Sequence, residues 1–174
     1  MGANLYKLLG KKTRIERNDD SDTKGGIRGD HNKPIKNNID KSENSILEIE
    51  ENFSEETFLI GAKKAFEIIV SSYKENNIDA ADQLLSSKVL NFFREQIQTN
   101  SIEYDSFQIT ELKASILNIE VAKNIARIKV LFESTQKNLI KKKSETLNIQ
   151  DNWTFEKTLG STNPNWVLAE VTTE

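Results

Sequence analysis

The chain has 174 residues, no cysteine and a single histidine, His31. Lack of cysteine removes disulfides, thiolate catalysis and Cys-ligated metals. With His31 alone in a polar stretch, a zinc site would have to be built almost wholly from carboxylates, a donor set zinc does not favour. No run of about eighteen apolar residues occurs, so no transmembrane helix is expected. The N-terminus has neither the apolar core nor the cleavage site of a secretory signal. Charge of one sign is also wanting: the net charge of −3 offers no electrostatic argument for a nucleic-acid partner, and no DNA partner is expected. There is no Gly-rich phosphate loop, no nucleophile elbow and no metal-ligand spacing. The expectation is a protein without cofactor that is not an enzyme.

What is present divides unevenly. Hydrophobic residues make up 36% and charged residues 29%, too polar an average for one compact globule and suited to a folded part joined to an unfolded one. Residues 1–10 hold Leu5, Leu8 and Leu9 on one helical face with Lys7, Lys11 and Lys12 nearby, a possible short interfacial segment on anionic lipid. Gly2 does not make a myristoylation site, because Tyr6 stands where Ser or Thr is required. Residues 11–51 read as a disordered tether, since isolated isoleucines among Gly, Asn, Asp, Lys and Pro34 cannot offset the entropy of ordering. "DDSDTKGG" is no calcium loop: Lys24 occupies a ligand position and His31 the place of the bidentate Glu.

A folded domain is expected over 52–174. Phe58, Ala62, Ala65, Phe66, Ile69 and Tyr73 recur at helical spacing, with Ser54 as N-cap and Glu55 and Glu56 in the first turn. Gly61 inside this helix implies a tight approach by a neighbouring element. Ile78 to Leu85 reads as a second short helix, and Ser86 or Ser87 caps a third with Val89, Phe92, Phe93 and Ile97 as its buried stripe. After Ser101 the period falls to two. A first strand carries Phe107 and Ile109, a bulge near Thr110–Glu111, then Leu112, Ala114 and Ile116. Lys123-Asn124 forms a turn, and Ala126, Ile128, Val130 and Phe132 alternate with Arg127, Lys129, Leu131 and Glu133. Lys137 to Ser144 reads as a basic loop containing Lys137, Lys141, Lys142 and Lys143. Trp153 and Phe155 share one strand face, and Trp166 and Leu168 share one on the next strand. The fold class is α+β: N-terminal helices packed on a four-stranded antiparallel sheet. The apolar strand faces carry no carboxylate pair, although Asp151 lies on the Trp153 face.

Three blocks carry a resemblance: "FLIGAKKAFEIIVSSY" with "LLSSKVLNFFREQI", the alternating "ASILNIEVAKNIARIKVLF", and "DNWTFEKTLGSTNPNW". In these the chain resembles the C-terminal domain family of the peripheral motor-anchoring subunit of the mitochondrial inner-membrane presequence translocase. That family includes bacterial relatives and a mitochondrial large-ribosomal-subunit protein. The turn after the first helix departs from the family's Gly-Asp pair, reading Lys74-Glu75-Asn76-Asn77. The hydrophobic anchor usual in bacterial relatives is also missing, which leaves truncation or peripheral attachment.

The resemblance implies a cone-like domain with an apolar pocket between sheet and helices, lined from Phe66, Ile69, Phe92, Phe93, Ile128, Val130, Trp153 and Trp166. Core packing is the alternative role for each of these residues. It implies a membrane-leaning first helix, with Phe53 and Phe58 at its start. It also implies contact with anionic phospholipid, cardiolipin in particular, and with protein partners of a translocation or membrane-assembly machinery. The location would be a bacterial cell membrane or the mitochondrial inner membrane, on an unknown face. The expected function is therefore a non-catalytic, membrane-associated adaptor. The alternatives are a ribosome-linked membrane adaptor, which would use the basic loop, and a lipid or small-molecule binding module.

Overall fold

The structure is a computed structural model and describes residues 46–47 and 50–172. The short segment at Leu5–Lys12 and nearly all of the tether expected over 11–51 lie outside the described residues. The described end of that tether belongs to the folded unit: Ile46 is fully buried in the core, and Glu50 pairs with Lys157.

Helix α1 spans Glu55–Lys74. It starts where expected because the Ser54 hydroxyl accepts a hydrogen bond from the Thr57 amide at 3.1 Å, satisfying a donor that the first turn leaves unpaired. Its inward stripe is Phe58, Ala62, Ala65, Phe66, Ile69 and Val70. The second helical stretch, Ile78–Leu84, is 3-10 rather than α, with a kink at Ala81. Only Ile78 and Ala81 are buried there, too few apolar anchors to hold a regular α-helix. Helix α2, Ser87–Asn100, is capped by the Ser86 hydroxyl and buries Val89 and Phe93, while Phe92 and Ile97 pack partly buried against the core.

Four strands follow as a meander in the order β1-β2-β3-β4: β1 Ser106–Ala122, β2 Ile125–Ile140, β3 Lys143–Thr158 and β4 Val167–Thr172. All neighbours pair antiparallel. β1 has register shifts at Ile109/Glu111, the position expected from the sequence, and at Ile116/Asn118. The β1–β2 turn is Lys123-Asn124, both with positive φ, the twist-matched geometry of a two-residue hairpin.

The basic loop expected over 137–144 is corrected. β2 continues to Ile140 and β3 begins at Lys143, leaving only Lys141 and Lys142 as a two-residue turn with φ of 50° and 63°. Lys137 is an exposed strand residue. Burial keeps alternating through Ser134, Gln136 and Asn138, so the strand persists while its inward side chains change from apolar to polar.

The core lies between the inward sheet face and the helices. Phe66 stacks on Phe132 with centroids 4.6 Å apart and lies 4.7 Å from Trp153, and Trp153 meets Phe132 at 5.3 Å. Fully burying rings of this size contributes roughly 1.5–3 kcal/mol each, with up to about 1 kcal/mol more from ring geometry. A parallel bridge between Leu85 and Leu168 ties the helical layer to β4.

Candidate functional site

The two ends of the sheet differ in chemistry. At the end where β3 finishes, a cleft of about 420 Å³ opens between the N-terminal half of α1, the last residues of β3 and the turn before β4. Phe53, Phe58 and Trp166 form one wall. Phe58 meets Trp166 edge-on at 5.0 Å, and Phe53 lies 6.2–6.3 Å from both. Phe155 closes the deep side, 5.9 Å from Phe58. The polar side carries Glu50 and Lys157, an ion pair at 2.5 Å with Lys157 nearly buried. The hydrogen bond from Lys157 holds the Glu50 carboxyl below its ordinary range. A volume of this order suits an apolar chain or a ring-sized group with one polar contact.

Gly61 faces this cleft, and the expectation of a tight neighbour there is corrected. A Cβ built on Gly61 would meet no heavy atom within 4 Å. The missing side chain leaves open space, not a close helix crossing.

The outer face of α1 exposes Ile60 and Ile68, at 54% and 47% of their surface. They stand eight residues apart on one helical side, with Lys63, Lys64 and Glu67 exposed between them. Sequence reasoning passed over both isoleucines because attention to the buried stripe hides an apolar residue pointing the other way; their phase within the helix was the available signal.

The opposite end of the sheet is polar inside. Ser134, Gln136 and Asn138 of β2 and Asp151 of β3 are all buried on the inward face. Gln136 donates to the Ser134 hydroxyl at 3.0 Å. The last residue of α1, Lys74, is only 2% exposed and donates to the Tyr104 hydroxyl at 2.9 Å. Its ammonium lies 4.5 Å from the centroid of the Tyr104 ring. Burial pushes the Asp151 carboxyl up to about 7, with the Lys74 charge pulling the other way. Burial likewise pushes Lys74 down to about 8, with Glu145 and Asp151 holding it up. Among the described residues no group of three His, Cys, Asp or Glu side chains is placed to hold a metal ion.

The residues named from the sequence separate accordingly. Phe66, Ile69, Phe93, Ile128, Val130 and Trp153 are at most 1% exposed and pack in the core, and Phe92 packs at its edge. Trp166, with Phe53 and Phe58, walls the cleft. The two indoles thus belong to different aromatic clusters, linked through Phe58 and Phe155. Lys141, Lys142 and Lys143 sit exposed at the tip of the β2–β3 hairpin, and no described helix is long and apolar enough to cross a membrane.

An uncharacterised protein of Rickettsia prowazekii (strain Madrid E) is 25% identical over 140 residues, a stretch covering 79% of this chain. The chain spans only 62% of that relative's length. Among solved structures, a multiply substituted Rd1NTF2 protein aligns with a TM-score of 0.34 and 9% identity over 64% of this chain and 95% of its own. A de novo designed β-sheet protein aligns with a TM-score of 0.35 and 15% identity over 67% and 87%. These scores are too low to bear on function. Residues 40–173, which take in both ends of the sheet and both helices, match the Tim44-like domain, and the chain belongs to that family.

Proposed function

We propose that this Tim44-like protein is a non-catalytic adaptor of protein translocation or membrane assembly. In this reading it binds anionic phospholipid, cardiolipin in particular, and protein partners at a bacterial cell membrane or mitochondrial inner membrane. Membership of the Tim44-like family over residues 40–173 carries the reading. The outer face of α1 supports it, because two half-exposed isoleucines with Lys63 and Lys64 beside them, alongside Glu67, combine an apolar contact with cations suited to an anionic interface. The cleft favours a second reading in which the domain holds an acyl chain or another small apolar ligand against Phe53, Phe58 and Trp166.

Vesicle flotation tests the first reading. The full chain and a form starting at Ser45, which keeps Ile46 and Glu50, should both float with cardiolipin-containing vesicles and stay at the bottom with neutral ones. Changing Ile60 and Ile68 together to Asp should abolish flotation without unfolding the protein, since neither side chain enters the core. Flotation that survives this change would refute α1 as the lipid-reading surface, and no flotation of either form would refute peripheral lipid binding. For the second reading, native mass spectrometry of the purified chain should reveal a bound acyl species.

A further inference from the structure

The inward face of the sheet contains an arrangement that the adaptor reading does not use. Asp151 stands opposite Phe132 in the β2–β3 register, two residues before Trp153. It is 1% exposed, and neither of its carboxylate oxygens has a hydrogen-bond partner. Gln136 and Asn138, on the same inward face, each leave a buried carbonyl oxygen without a partner as well. Every one of these four atoms is an oxygen that, in its ionised or amide form, can only accept. Buried acceptors of this kind are rare in folded proteins because each one forfeits its bond to water.

Among the described residues, the charged and titratable groups set about Asp151 and its partner are Lys74 from α1, Tyr104 from the segment before β1 and Glu145 from β3. The described inward residues of β1, β2 and α2 are uncharged. Lys74 is the described cation whose charge acts on the Asp151 carboxyl. In the structure its ammonium nevertheless donates to Tyr104 and lies against the Tyr104 and Phe107 rings. A carboxylate with no donor, enclosed in apolar and acceptor groups, is the wrong charge state for these surroundings; a carboxylic acid, which is neutral and brings a donor, suits them.

We propose that Asp151 is a proton-binding site whose occupancy is coupled to the position of the Lys74 ammonium. With the proton on Asp151, Lys74 rests on Tyr104, as seen. When the carboxyl releases its proton to solvent, the ammonium turns from Tyr104 towards the new charge. Because Lys74 ends α1 and Tyr104 leads into β1, proton exchange bears on the joint between helix and sheet. The coupled groups titrate as a pair, and burial places Asp151 near the middle of the neutral range.

Carbon-13 NMR of the full chain labelled at Asp tests the site directly. The Asp151 carboxyl resonance, assigned through its own β-carbon, should titrate with a midpoint within about one unit of 7. A midpoint below about 5, in the ordinary carboxylate range, would overturn the proposal. Lys74→Met should move the midpoint upwards, and Tyr104→Phe, which removes the hydroxyl that the ammonium donates to, should move it downwards. If Lys74→Met fails to fold, the Tyr104→Phe measurement decides the coupling alone. A midpoint unmoved by these changes would overturn the coupling even with the proton site intact.

Discussion

Replacing Gly61 by alanine should stabilise the protein, and the size of the effect can be worked from its surroundings. Glycine within a helix is about 0.8–1.0 kcal/mol less favourable than alanine, through backbone entropy alone. That gain is cancelled where the new methyl strikes a neighbour, but a Cβ at Gly61 meets nothing within 4 Å. The position is exposed, so burial adds little in either direction. The net expectation is a stabilisation of about 1 kcal/mol, or roughly 3–5 °C in Tm for a domain of this size. Urea unfolding followed by tryptophan fluorescence reads it as a higher midpoint with an unchanged slope. Gly61→Leu keeps most of the gain, since leucine is also a good helix former, while its side chain projects into the cleft. It should therefore reduce uptake of an acyl-chain probe. Destabilisation by Gly61→Ala would refute the open-cleft geometry, and undiminished probe uptake by Gly61→Leu would refute the cleft as the place where the probe sits.

Three further outcomes follow from the same structure. Trp153→Ala should cost about 3–5 kcal/mol by opening a cavity beside the stacked Phe66 and Phe132, whereas Trp166→Ala, at the half-buried cleft wall, should cost roughly 1–2 kcal/mol; equal losses in urea unfolding would contradict their different settings. Ser54→Ala should cost about 1 kcal/mol by removing the cap of α1, measured in the same way. Stability should also depend on pH in an unusual sense. The folded value of Asp151 is raised from 3.8 to about 7, so between those values the fold keeps a proton that the unfolded chain has lost, and stability falls as pH rises. The folded value of Lys74 is lowered from 10.5 to about 8, so above about pH 8 stability recovers. Each branch has a limiting slope of about 1.4 kcal/mol per pH unit. A minimum between about pH 7 and 8 is expected in unfolding curves, and a maximum there would refute these environments.

The helices and most of the sheet were legible because their signals are local. Ser54 and Ser86 announce the two helix starts by offering oxygens to free amides, and the alternation from Ala126 to Phe132 maps directly onto inward and outward positions. The β2–β3 hairpin was not legible, since pattern reading equates the inside of a sheet with apolar residues. Ser134, Gln136 and Asn138 keep the period of two but reverse its polarity, and so look like a loop. Gly61 misled for a related reason: an absent side chain implies equally a close neighbour or an open space, and only three-dimensional placement separates them. Trp166, Phe53 and Phe58 come together across more than 100 residues of chain, a meeting that no local period encodes. Asp151 was visible on the Trp153 face; its depth was not, because burial depends on what the helices cover.

The meander order has a consequence for biogenesis. Each strand pairs with its neighbour in sequence, so the sheet can assemble from short-range hairpins, but the apolar stripe of α1 waits for partners far downstream. Roughly 90 residues separate Phe66 from Trp153, and a ribosome adding about 5–20 residues per second needs on the order of 5–20 s to make them. Until the β1–β2 hairpin has been made, Phe58, Phe66 and Ile69 are on a nascent helix with no sheet to cover them. A chain that leaves the ribosome in this state is a natural client for chaperones, and for the same seconds its first helix is at its most adhesive to any nearby bilayer.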